Sequence, residues 1–402
     1  MSLIEEALKS GEGILRLKPA WVPRSFMMPG GRLRLHPSDL YALGAHRGGI
    51  NERWFSSTTN ASNGPGTPPD EGLSYIAFDG HQFLLKEAIE TIGDKLLGRE
   101  VMETQGGWNV LCKFFDNLGP IPHHMHQSEK QANLVGQRGK PESYYFPPQY
   151  NMHENDFPYT FMGLEPGTRP EEVRACLERW NEGDNGILYL SKAYRLQPGT
   201  GWQIDPGVLH APGSLVTYEP QVNSDVFAMF QSMVDGRPIG WELLVKDVPP
   251  QYHRDLDYIV GLLDWEANVD QRFGEHNRAF PKPVAGEGVM KEAGYREVWV
   301  SYGTRYYSAK ELTVEPGRSV TIRDGAAYGL ILTQGFGQIG VHGVETPTLI
   351  RYDQMTSDEL FVSADAAGRG VVVTNKSRSE PLVLLKHFGP GNPDAETLRS
   401  RK

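Results

Sequence analysis

Apolar positions recur along this chain with two periods, and the shorter one dominates. Leu85, Ala88, Ile89, Ile92 and Leu96 follow at helical spacing, so residues 84–97 are expected to form an amphipathic helix. A second helix is expected over 169–181. Thr168 with Glu171 makes a capping box, Pro170 suits an early helical position, and Val173, Cys176, Leu177 and Trp180 share one face. Tyr252, Leu256, Ile259 and Leu263 mark a third over 250–265. Elsewhere the pattern is that of strands. WNVLCKFFDN reads as a buried strand, and 187–232 as short β runs broken by PGTG, DPG and APG. Residues 296–390 read as eight closely spaced β runs, from REVWVSY through TLIRYDQM to PLVLLKHF, a sandwich or barrel of their own behind the connector PKPVAGEG. Residues 1–75 read as irregular, closing in the loop NASNGPGTPPDEG.

Composition sharpens this picture. The chain has 402 residues, with 45 Gly and 29 Pro, which means many turns and short strands. Forty Lys and Arg against 50 Asp and Glu give a net charge of -10, so no nucleic-acid or anionic-membrane surface is advertised. No apolar stretch approaches the roughly 18 residues a membrane span requires. The opening MSLIEEALKSGEGI lacks the cationic start of a secretory signal. Cys112 and Cys176 both sit in apolar patterns and read as small buried hydrophobes, consistent with a reducing cytoplasm. Gly335-Phe-Gly337-Gln-Ile-Gly340 matches a dinucleotide-binding motif by letter. No helix can start at its third glycine, because VHGVETPTLIRYD follows, so it is read as a tight strand connection.

The candidate chemistry lies in the histidines. His123, His124 and His126 fall within four residues, and side chains alternate along a strand, so His124 and His126 point one way and His123 the other. Glu142 follows in GKPESYYF, and His210 comes directly after a Pro-Gly turn in DPGVLHAPGS. Three neutral imidazoles and one carboxylate form a ligand set that suits Zn, Fe, Mn, Co or Ni and leaves coordination positions open. The competing reading is of solvated turn histidines. The remaining scattered histidines, among them His342 and His387, have no partner spacing.

In this order the segments resemble the type I phosphomannose isomerases of the cupin superfamily. GGINERWFSSTTNASNGPG is similar to the family's E-x-W-E-x-S segment, GPIPHHMHQ to its Q-x-H-P region, GKPESYYF to G-K-x-E, FMGLEPGT to G-L-x-P-G, and DPGVLHAPGS to P-x-G-x-x-H-A. The resemblance implies a mainly β bicupin. Its two jelly-roll barrels would be an N-terminal metal-binding unit with helices over 1–270 and a metal-free C-terminal unit over 271–402. It places one divalent ion, zinc first, on His124, His126, Glu142 and His210, with His124 standing where the family usually has Gln. It also gives Lys140 a place against substrate and Glu219 a proton-transfer role, an ordinary surface glutamate being the alternative for Glu219.

The implied reaction is aldose–ketose interconversion of a small carbohydrate through an enediol, with a homo-oligomer allowed because cupins often pair. Two departures bear on the substrate. The family's phosphate-side serine is Pro122 here, and Met229 stands where its arginine should be, so an unphosphorylated sugar comes into view. Lys130, Arg138 and Arg195 are the candidates to compensate. Two rival readings use the same ligands: a non-catalytic metal-containing sugar-binding cupin, and an Fe-dependent cupin oxygenase.

Overall fold

The computed structural model describes residues 2–151 and 158–398. It is mainly β, built from antiparallel sheets that pack in pairs. One pair carries the histidines. Its seven-stranded sheet runs, in spatial order, Arg278–Ala279, Gly201–Ile204, Glu142–Tyr145, Thr217–Val222, Val110–Phe115, Gly49–Phe55 and Ala20–Arg24. Its five-stranded partner runs Ser191–Arg195, Tyr159–Leu164, His210–Ala211, His124–Met125 and Ala228–Met229. Phe115, Tyr144, Met162, Trp202 and Ile204 fill the space between them.

Strand alternation gives the seven-stranded sheet two working faces. Phe114, Cys112, Tyr145, Tyr218 and Phe55 point outward and pack against Val298, Ala309, Ile331 and Leu385 of a nine-stranded sheet. Lys113, Phe115, Glu142, Tyr144 and Glu219 point inward, toward the histidines. The nine-stranded sheet packs its other face on a four-stranded one through Leu312, Leu330, Leu384, Ile339 and Val373. Cys112 and Cys176 are both free and buried.

The helical segment Leu85–Leu96 forms and buries Leu85, Ala88, Ile89, Ile92 and Leu96, but it is kinked rather than continuous, with non-helical backbone at Ile92 (φ -130, ψ 32). The second spans Pro170–Glu178 and covers the outer face of the five-stranded sheet with Val173, Cys176 and Leu177. Its cap lies one residue later than expected, because the Arg169 N–H donates to Glu172 at 3.0 Å. The third is broken: a 3-10 turn at Pro250–Tyr252 precedes α-helices Leu256–Val260 and Trp265–Asn268. Asp255 and Asp264 each cap a fresh start, which a continuous helix would not accommodate.

Two further expectations are corrected. Residues 1–75 are not irregular, since they hold the helix Leu3–Ser10 and the strands Ile14–Lys18, Ala20–Arg24 and Gly49–Phe55. TLIRYDQM is not a strand; Ile350 makes only an isolated bridge to Leu35, and the sheet instead takes Glu359–Val362. The Gly335–Gly340 run holds the strand Phe336–Ile339 flanked by positive-φ glycines, as a tight strand connection requires. Ile14–Lys18 lies in the nine-stranded sheet between Glu359–Val362 and Tyr75–Phe78, so that sheet draws strands from both sides of residue 270. No helix among the described residues is long and apolar enough to cross a membrane.

Candidate metal centre

Two-residue strands bring the histidines together. His210 pairs with His124 across an antiparallel bridge, and Met229 pairs with His124 on the other side. The turn that delivers His210 is tied to the second histidine, because the Gly207 N–H donates to the His126 carbonyl at 2.8 Å. Gly207 adopts φ +82, and a Cβ there would lie 2.8 Å from the Asp264 nitrogen, so glycine is required twice over. Gly139 is constrained by proximity alone, its Cβ position falling 2.4 Å from the Glu129 nitrogen.

Ligand nitrogens of His124, His126 and His210 all lie within 4.8 Å of one another, and all three rings are buried. Each ring turns Nδ1 to a main-chain carbonyl: His124 to Pro122 at 2.6 Å, His126 to Val226 at 2.7 Å and His210 to Val208 at 2.9 Å. Three Nδ1–H donors held this way leave three Nε2 lone pairs converging, the usual outer support of a metal site. The Glu142 carboxylate lies 3.0 Å from His126 Nε2 and 3.1 Å from His210 Nε2. His210 Nε2 is buried without an aligned hydrogen-bond partner, while Glu142 Oε2 faces the Lys140 ammonium at 3.0 Å. A buried imidazole lone pair left unserved beside two others is costly unless a cation takes it, so the residues present fit a divalent metal. Burial pushes His126 down to about 4 and His124 well below its ordinary value, keeping both imidazoles neutral.

Around this cluster runs a ladder of alternating charge on the inner face of the seven-stranded sheet. Arg24 contacts Glu52 at 3.1 Å, Lys113 lies 3.5 Å from both Glu52 and Glu219, and Lys140 lies 3.6 Å from Glu219 and 3.0 Å from Glu142. Lys113 and Glu219 face each other directly in the strand register. Tyr144, two residues after Glu142 on the same face, donates its hydroxyl to Glu142 at 2.5 Å. Burial together with the neighbouring Glu142 pushes Glu219 up to about 8. Burial works in the same direction on Glu142, but His126 and Lys140 hold it well below the usual carboxylate range.

Five of the six residues singled out from sequence, His124, His126, Lys140, Glu142 and Glu219, line one pocket, His210 joins them through the histidine cluster and Glu142, and Glu219 is buried rather than on the surface. Arg24, Glu52, Lys113, Asp225 and Tyr144 line it as well and were missed. A signal existed for one of them, since Lys113 is a lone cation inside the apolar run VLCKFF. His123 points away as alternation requires, with Nε2 2.6 Å from Ser191 Oγ. Lys130, Arg138 and Arg195 do not line the pocket.

Antiparallel sheet pairs around a buried tri-histidine cluster define the class of protein; solved structures then supply the particular relatives. The mannose 6-phosphate isomerase of Bacillus subtilis superposes with a TM-score of 0.60 at 16% identity, covering 94% of this chain and 99% of that one. A single-site variant of the phosphomannose isomerase from Salmonella typhimurium gives 0.62 at 13% identity, covering 94% and 100%. A zinc-bound mannose 6-phosphate isomerase gives 0.60 at 14% identity, again covering 94% and 100%. The chain therefore has the fold of the mannose-6-phosphate isomerases. No protein family and no curated protein matches its sequence.

Proposed function

We propose that this protein is a metal-dependent aldose–ketose isomerase of the mannose-6-phosphate isomerase type, acting on a small carbohydrate. On this reading it is a cytoplasmic bicupin. The histidine cluster sits in its first jelly roll, and a metal-free second one is completed by the early strands Ile14–Lys18, Tyr75–Phe78 and His81–Leu84. His124, His126, Glu142 and His210 would hold one divalent ion, zinc first in view of the zinc-bound relative. The observation that carries the reading is the juxtaposition of that cluster with Lys140 and Glu219, a cation and a buried carboxyl 3.6 Å apart in one pocket.

When bound, the metal supplies Lewis-acid polarisation of a substrate oxygen. The chain's own residues supply the rest. Glu219, pushed up to about 8, is suited to take a proton from one of C1 and C2 of an open-chain sugar and return it to the other near neutral pH. Lys140 Nζ stands 3.6 Å from that carboxyl and would stabilise negative charge developing on the neighbouring oxygen. Tyr144 fixes the rotamer of Glu142, and the apolar wall of Phe26, Phe115, Phe227 and Met229 keeps bulk water away.

The test is zinc-loaded protein incubated with aldoses in deuterated water. Deuterium is expected at C1 or C2 together with ketose formation, and Glu219→Gln is expected to lower kcat by about 10²–10⁴. Full turnover in Glu142→Ala, or no metal uptake by the wild-type protein, would sink the reading. Stabilisation by sugars without any turnover would favour the non-catalytic binding role instead.

A further inference from the structure

The same pocket carries information about its substrate that neither the histidines nor the fold supplies. Three cations line it, Arg24, Lys113 and Lys140, against four carboxylates, Glu52, Glu142, Glu219 and Asp225. Arg24 has five N–H donors, and the structure gives each an acceptor. Nε and Nη2 reach Glu52 at 3.1 and 3.2 Å. Nη2 and Nη1 reach Asp225 at 3.1 and 3.2 Å, and Nη1 also reaches Asn63 at 3.0 Å. Lys113 is divided between Glu52 and Glu219, and Lys140 between Glu142, Glu219 and His126 Nε2. The nearby Phe227 N–H is likewise taken, by Asp247 at 2.9 Å. Lys246, on the far side of Asp225, is bound to the Asp225 carbonyl at 2.8 Å and does not line the pocket.

A phosphate monoester near neutral pH is a dianion that needs fixed cations or bundled N–H donors. Among the described residues every cation that lines the pocket is already committed to carboxylates. The wall nearest His124 is closed by Met229, with Phe26 and Ile121 beside it. A phosphate on the far end of an open-chain sugar would lie roughly 6–8 Å from the ion, too far to be neutralised by it, and the remaining charged lining there includes the carboxylates Glu52 and Asp225. We infer that this filled charge ladder selects an uncharged open-chain sugar over its phosphate ester, with Arg24, Glu52 and Asp225 as the specificity-determining residues. The inference rests on the sugar-isomerase reading for its substrate class, while the exclusion of phosphate follows from the donors themselves.

The experiment offers the zinc-loaded full-length protein mannose, fructose and their 6-phosphates. Turnover is followed by NMR, and binding of mannose, mannose 6-phosphate and inorganic phosphate by calorimetry. The expected result is a kcat/KM for the uncharged sugars about 100-fold or more above that for the esters, with the ratio narrowed about tenfold in Asp225→Asn. Glu52→Gln is the second variant should Asp225→Asn fail to fold, and an unchanged ratio in whichever variant folds overturns the assignment of these residues. Preferred turnover of the esters, or phosphate binding tighter than mannose binding, overturns the selectivity. If mannose binds, phosphate does not, and nothing turns over, the isomerase reading fails while the selectivity stands; if no sugar binds, both fall.

Discussion

Single side chains in this structure matter chiefly through what burial does to them. His387 is the clearest case away from the metal centre. Its ring is fully buried, Nδ1 lies 3.1 Å from the Tyr218 hydroxyl, and Nε2 has no partner. Burial pushes it down to about 3, whereas an unfolded histidine titrates near 6.5. Between those values the unfolded chain binds one proton more than the folded one. The stability is therefore fully present above pH 6.5 and drains as pH falls toward 3, at about 1.4 kcal/mol per pH unit. His123, His124 and His126 are depressed in the same direction and add to the wild-type slope, so denaturation curves across that window should be shallower in His387→Gln than in the wild type by about one proton's worth. At this scale the sequence was informative about His124, His126, Glu142 and His210, because strand alternation and a Pro-Gly turn are local rules. It was silent on Arg24 and Asp225, whose meaning arises only when residues 201 apart in sequence meet.

At the scale of elements, the metal centre hangs on pieces of backbone too short to be stable alone. His210–Ala211 is two residues long, and Asn268 pins the turn before it. The Leu209 N–H donates to Asn268 Oδ1 at 2.8 Å, and Asn268 Nδ2 donates to the Gly207 carbonyl at 2.7 Å. Asn268→Ala leaves buried main-chain groups unserved, so a loss of about 1–3 kcal/mol is expected in urea unfolding. Zinc affinity should fall about tenfold with it, read by competition with a chelator. The sequence placed this region in a continuous helix over 250–265, which the two aspartate caps divide. Periodicity reports which face is apolar; it does not report where a helix restarts, and the restart at Asp264 is what puts Asn268 under the histidine turn. Strand existence was legible for the same reason that strand partners were not, since alternation is local and pairing is not. TLIRYDQM has the alternation of a strand, yet Glu359–Val362 takes the neighbouring place in the sheet.

Across the whole molecule, the seven- and nine-stranded sheets are joined by a largely apolar layer that encloses a buried charge cluster around Arg53. Arg53 reaches Asp358 at 2.8 and 2.9 Å and Glu359 at 3.1 Å, and burial, with Asp358 beside it, pushes Glu359 up to about 7 against the opposing pull of Arg53. Arg53→Met should cost about 3–5 kcal/mol in chemical denaturation, since it strands both acids in the interior. Adding Asp358→Asn and Glu359→Gln should recover part of that loss. The placement of Ile14–Lys18 has a consequence of a different kind. Its neighbour Glu359–Val362 is made more than three hundred residues later, so a growing polypeptide emerging from the ribosome holds this strand half-paired, with Leu15 and Leu17 lacking their final cover, through all of that intervening synthesis. Completion of the nine-stranded sheet thus waits on residues 359–362, and nascent chains are most exposed to self-association until those residues emerge.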